Sequence, residues 1–125
     1  MARRLVWLGS SHKDFLEFPK EVKRDVLAAL LLARKGEKAV HAKPLLGFSG
    51  ASVLEIVERD PSGTYRCVYT VKFPSAVYVL HAFQKKSHRG IATPKDDVEM
   101  IKRRFKLASE ANAEVIAREK KGRRE

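Results

Sequence analysis

Between Arg66 and Arg89 the chain gathers guanidinium, imidazole and ammonium groups: Arg66, then His81, Lys85, Lys86, His88 and Arg89. The set suits cleavage of an RNA phosphodiester by its own 2′-hydroxyl, a reaction that needs a base, an acid and positive charge around a crowded phosphorane. Arg66, Lys85 and Lys86 would supply the charge. Neutral His81, or a lysine whose pKa neighbouring cations depress, would take the 2′-hydroxyl proton, and a second protonated group would serve the departing 5′-oxygen. Phe83 or Tyr65 would stack on a base, with Lys43, Arg59, Gln84, His88 and Arg89 as further RNA contacts. A plainer reading stands beside this one. Cations on a sheet face are often only solvated, and His81 between Leu80 and Ala82 would equally be a satisfied, half-buried histidine.

The elements that must position these groups are strands. Val53–Arg59, Thr64–Phe73 and Ala76–Lys85 are rich in Val, Ile, Tyr and Phe, and the turn-forming runs Asp60-Pro61-Ser62-Gly63 and Pro74-Ser75 separate them. An antiparallel register centred on each turn sets Val57 opposite Arg66 and Arg66 opposite Phe83. Alternation then gives a core face of Leu54, Ile56, Tyr65, Cys67, Tyr69, Val71, Tyr78, Leu80 and Ala82. The other face receives Glu55, Val57, Arg59, Arg66, Thr70, His81, Phe83 and Lys85. A slip of one residue on any strand would scatter this second set.

Before the strands, Arg4–Leu8 suits a short first strand, and Ser10 and Ser11 offer an N-cap for a helical turn through Phe15. Pro19 opens a longer helix with the apolar stripe Val22, Val26, Leu27, Leu30, Leu31 and Ala33, which Gly36 stops. Residues 37–50 read as a loop. After Thr93 and Pro94 a last helix carries Val98, Ile101, Phe105 and Ala108 at helical spacing, and the charged end from Arg118 is expected to fray. The fold class is α+β: an antiparallel sheet of about four strands, N-terminal helices packed on one face, and a C-terminal helix. Residues 1–117 form one domain and 118–125 a charged tail.

Composition narrows the partners. The 125 residues hold 26 Lys and Arg against 15 Asp and Glu, a net charge of +11 that favours nucleic acid, an acidic membrane surface or an acidic protein. The longest apolar run, Val26–Ala33, is too short to cross a bilayer, and the start resembles no secretory signal, so a cytoplasmic location is expected. Cys67 is the only cysteine. It suits a buried, inert thiol, and the four histidines lack metal-ligand spacing, so neither a metal nor another cofactor is expected.

The runs Gly63-Thr64-Tyr65-Arg66-Cys67-Val68-Tyr69 and Val77-Tyr78-Val79-Leu80-His81-Ala82-Phe83-Gln84-Lys85-Lys86 closely resemble the phage-derived HigB-like branch of the RelE/ParE toxin superfamily. The Lys43 to Gly47 stretch and a helix bearing Asp97, Glu99 and Arg103 resemble it too. The resemblance implies a metal-independent messenger RNA endonuclease acting on the ribosome, with a helix-turn-helix antitoxin as its partner. By carry-over, Arg66 matches an arginine near the scissile phosphate, and Lys85 and Lys86 match basic residues ending the last strand; His81 and Lys43 are weaker matches. Two positions depart from the pattern. Val57 stands where many relatives carry a cation, and no tyrosine follows Tyr78. A gyrase poison on the same fold, or a non-catalytic phage-derived RNA-binding protein, are the competing functions.

Overall fold

A computed structural model describes residues 2–48, 52–85 and 93–124. In chain order the elements are β1 (Arg4–Trp7), α1 (Ser11–Leu16), α2 (Lys20–Arg34), β2 (Lys43–Pro44), β3 (Val53–Asp60), β4 (Gly63–Thr70), β5 (Ala76–Lys85) and α3 (Lys95–Arg124). The strands form one five-stranded sheet in the order β1-β5-β4-β3-β2. Three strands form the expected antiparallel meander. The fifth strand arises because Lys43 and Pro44, expected in a loop, pair with Glu55 and Leu54. β1 runs parallel to β5.

β4 ends at Thr70, short of the expected Phe73, because its own hydroxyl closes the strand: Thr70 Oγ1 donates to the Ser52 carbonyl (2.8 Å) and accepts from the Lys72 amide (3.2 Å). α2 lays Val22, Val26, Ala29, Leu30 and Ala33 on the sheet, where Leu54, Ile56, Cys67, Tyr69, Val77 and Val79 meet them. A side chain as fully buried as Leu30 contributes about 2 kcal/mol, and truncating it to alanine would cost about 2–5 kcal/mol.

α3 lies on the opposite face of the sheet. Its Ile101 and Ala108 pack with Val53, Val68, Tyr78 and Leu80, so both sheet faces carry core. Two expectations change here. Tyr78 and Leu80 leave the α2 face, where strict alternation puts them, because the β4–β5 register shifts between Val68 and Tyr69. Val68 pairs with His81 and Tyr69 with Val79, so Leu80 is an extra residue, and it and His81 both turn toward α3. The charged end, expected to fray, instead continues α3 as helix to Arg124; cations near a helix C-terminus oppose the partial negative charge of its unpaired carbonyls.

Candidate functional site

The register on both sides of Arg66 is the expected one, reached on the β5 side through the bulge at Leu80. Val57 faces Arg66, Arg66 faces Phe83, and one step toward the strand ends Arg59 faces Thr64 and Thr64 faces Lys85. Because side chains alternate along a strand, Arg59, Arg66, Phe83 and Lys85 share one face of β3, β4 and β5. One step the other way lies the row Lys43, Glu55, Val68, His81. Seven of the ten candidate residues thus fall among the described residues; Lys86, His88 and Arg89 lie outside them.

Arg66 is deeply buried and donates from one terminal nitrogen to Glu55 Oε2 at 3.0 Å. Glu55 also stands opposite the exposed Lys43, so its carboxylate lies between two cation-bearing strands. A guanidinium carries five N–H donors in a fork, a shape that matches carboxylate and phosphate oxygens alike. Lys85 ends β5 and is buried, whereas Arg59 is exposed.

His81 is held on three sides. Its Nε2 lies 2.7 Å from Asp97 Oδ1, its Nδ1 lies 3.3 Å from an Arg104 terminal nitrogen, and its ring stacks on Phe83 with centroids 4.7 Å apart. A guanidinium only donates, so Nδ1 accepts and the imidazole proton sits on Nε2, where it is given to Asp97. Both ring nitrogens are therefore engaged inside the protein. The satisfied-histidine reading fits this geometry, and the role of base toward a 2′-hydroxyl does not, unless Asp97 or Arg104 lets go.

Gln84 points the other way. Its Nε2 donates to the Ser62 carbonyl at 2.9 Å, bracing the β3–β4 turn on the α2 side, so it is not gathered with the cations. Tyr65 is likewise on that side, against Phe18, with its hydroxyl 2.6 Å from Ser62 Oγ. Neither reaches the Arg66 face, which leaves Phe83 as the aromatic there.

Sequence reasoning missed Arg104. This buried arginine donates to the Leu80 carbonyl at 3.0 Å and to Ser10 Oγ at 3.1 Å as well as reaching His81, and it so ties α3 to the β5 bulge and to the start of α1. Burial lowers its pKa from the ordinary arginine value, the Asp14 carboxylate opposes that shift, and Arg103 adds to it. Gly9 makes room for it: at φ +55° a Cβ would stand 2.6 Å from Arg104 Nε. A signal existed in the sequence. Asp97 and Arg104 share the i, i+4, i+7, i+11 stripe with buried Ile101 and Ala108, and charged residues on a core-facing stripe call for partners. Among the described residues no group of His, Cys, Asp or Glu could hold a metal ion, and no helix is long and apolar enough to cross a membrane.

The sheet and its two covering layers make an α+β fold of the RelE kind. A double arginine-to-alanine variant of the Escherichia coli toxin RelE in the free state superposes with a TM-score of 0.53 at 19% identity, covering 70% of this chain and 88% of that one. The isolated E. coli RelE toxin gives 0.52 at 18%, covering 82% and 98%. A RelBE2 toxin-antitoxin complex from Mycobacterium tuberculosis gives 0.43 at 20%, covering 70% and 95%. The chain belongs to the family described as phage derived protein Gp49-like (DUF891), whose model matches residues 13–106. Among curated proteins there is no match.

Proposed function

We propose that this protein is the toxin of a type II toxin–antitoxin system and acts as an endoribonuclease on messenger RNA, bound to the ribosome, in the cytoplasm. The observation that carries this reading is the placement of Arg59, Arg66 and Lys85 on one face of three adjacent strands, side chains of the type that contacts a nucleic-acid backbone. Membership of the phage-derived Gp49-like family and a fold shared with the RelE toxins support the toxin role. Residues 1–117 are the toxin domain, and 118–125 its charged extension. A helix-turn-helix antitoxin with acidic surface is the partner that a chain of net charge +11 would accept.

The chemistry follows from the groups present. The 2′-oxygen forms a bond to phosphorus as its proton passes to a carboxylate or a neutral amine, and the P–O5′ bond breaks with its electron pair going to the 5′-oxygen. The products are a 2′,3′-cyclic phosphate and a 5′-hydroxyl. Glu55, held by Arg66, is the base that the geometry favours over His81. Arg66 stabilises the phosphorane, and Lys85, with Lys86, neutralises the phosphate and protonates the leaving oxygen. His81, locked by Asp97 and Arg104, holds Phe83 in place as the surface on which a base stacks.

Brief expression without an antitoxin, followed by sequencing of RNA ends, tests this. Cuts inside translated codons that vanish in the Arg66→Ala and Lys85→Ala variants are expected. Growth arrest with intact messages and gyrase-linked DNA breaks would replace the nuclease by a gyrase poison.

A further inference from the structure

A chain of polar contacts runs from α1 to α3 through Asp14, Ser10, Arg104, His81 and Asp97. Ser10 Oγ donates to Asp14 Oδ2 at 2.8 Å and accepts from one terminal nitrogen of Arg104 at 3.1 Å; the other terminal nitrogen lies 3.3 Å from His81 Nδ1, and His81 Nε2 lies 2.7 Å from Asp97 Oδ1. The segment that carries Ser10 is itself tied to β5 just ahead of the bulge. The Leu8 amide donates to the Val79 carbonyl at 3.0 Å, and Ser11 Oγ to the same carbonyl at 3.4 Å. The chemistry of the groups fixes the direction of every bond, because a guanidinium only donates and a carboxylate only accepts. Ser10 and neutral His81, which can do either, must each accept from Arg104 and donate outward, to Asp14 and to Asp97. One tautomer and one ring orientation satisfy this: turning the imidazole over would set C–H groups against the guanidinium and the carboxylate. Phe83 stacks on that ring at 21°, and it pairs with Arg66, so the orientation imposed by Arg104 is passed to the aromatic surface on the Arg66 face.

We propose that Ser10 is a positioning residue for the reaction: by holding Arg104 against His81 it fixes the ring on which Phe83 rests, and so the surface offered to an RNA base. This rests on the nuclease reading and adds to it a residue at the start of α1 that acts only through Arg104. A mere staple between α3 and the rest of the fold does not need Ser10, since Arg104 already donates to the Leu80 carbonyl at 3.0 Å. The nitrogen that reaches Leu80 is the one that reaches His81, and it is shared between the two acceptors. What the Ser10 bond adds is the plane of the group. A guanidinium is rigid and flat, so a bond at one terminal nitrogen sets the plane in which the other meets the imidazole. Asp14 strengthens the arrangement by taking the Ser10 proton, which leaves the hydroxyl oxygen facing Arg104 as an acceptor.

The test compares the full chain with Ser10→Ala, which removes the bond, and Ser10→Thr, which keeps a hydroxyl. Ser10 is exposed, so both variants are expected to fold, as circular dichroism would check. Cleavage is followed on ribosomes carrying a short message, over a range of protein concentrations. Ser10→Ala should raise the half-saturating concentration about fivefold and change the limiting rate by less than about twofold, the pattern of a lost binding contact worth one hydrogen bond. Ser10→Thr should restore the wild-type value. Nitrogen-15 spectra of the histidines give a readout without RNA: His81 should carry its proton on Nε2 in the wild type and in Ser10→Thr, whereas in Ser10→Ala its two nitrogen resonances should move toward each other as the ring samples both tautomers. Wild-type half-saturation in Ser10→Ala, unmoved His81 resonances, a loss confined to the limiting rate, or no rescue by threonine would each overturn the proposal. A wild-type chain that cuts no message sinks the nuclease reading and this role with it; one that cuts, with Ser10→Ala indistinguishable from it, sinks this role alone.

Discussion

At the scale of single residues, the Arg66–Glu55 pair couples stability to activity. Removing the guanidinium leaves a largely buried carboxylate without its counter-charge, so Arg66→Ala is expected to lose about 1–3 kcal/mol of stability as well as cleaving RNA about a hundredfold or more slowly. Replacing both groups, as Glu55→Gln/Arg66→Gln, should restore much of the stability and none of the cleavage. A denaturant series alongside single-turnover RNA cleavage separates the two effects; a double variant that regained activity would remove Arg66 from the reaction. Cys67 offers a second residue-scale check. Burial pushes its thiol up to about 12, so thiol reagents at neutral pH should modify it only when the protein unfolds.

Among elements, the bulge in β5 matters most. It turns Leu80 and His81 to the same side, and the Leu80 carbonyl, outside the ladder register, is taken up by Arg104 from α3. Arg104→Met keeps much of the side chain's length but deprives the Leu80 carbonyl, His81 Nδ1 and Ser10 Oγ of a donor, and is expected to cost about 2–4 kcal/mol. Hydrogen exchange should then show faster opening of α3 than of α2. Equal exchange in both helices would mean that apolar packing by Ile101 and Ala108 alone docks α3. Gly9→Ala should weaken the same junction from the other side, through a positive φ and a clash with the guanidinium.

Over the whole molecule, two protonation equilibria set its alkaline limit. Burial raises both the Cys67 thiol, from 9.0, and the Tyr69 hydroxyl, from 10.0, to about 12 in the folded state. The folded chain therefore holds these protons longer than the unfolded one. Their contribution is fully present below about pH 9 and is lost as pH rises through about 12, so urea midpoints should be flat to pH 9 and decline beyond it. The net charge of +11 acts at the same scale, and under the proposed function it would draw in RNA at long range. If Arg59, Arg66 and Lys85 are the phosphate contacts, log affinity for single-stranded RNA should fall with log salt at a slope of about −2. A slope near zero would mean that the face does not hold a phosphate chain.

Much of this was readable from sequence because it is local. The turn at Asp60–Gly63 determines the register of β3 on β4 around Arg66, alternation then groups Arg59 with Arg66 and Phe83 with Lys85, and helical spacing gives α2 its buried stripe, whereas the pairing of Arg66 with Phe83 also depends on the bulge at Leu80. The side chains that reach across the fold were not readable. One inserted residue at Leu80 reverses the faces of the strand before it, and whether a strand bulges depends on what packs against it, here α3 and its Arg104. In the same way, His81 has the right chemistry for a base by type alone, but Asp97 and Arg104, 16 and 23 positions away, occupy both of its nitrogens. Sequence determines which groups the chain brings to a face; only the packed helix on the far side of the sheet decides which of their lone pairs and protons are already taken.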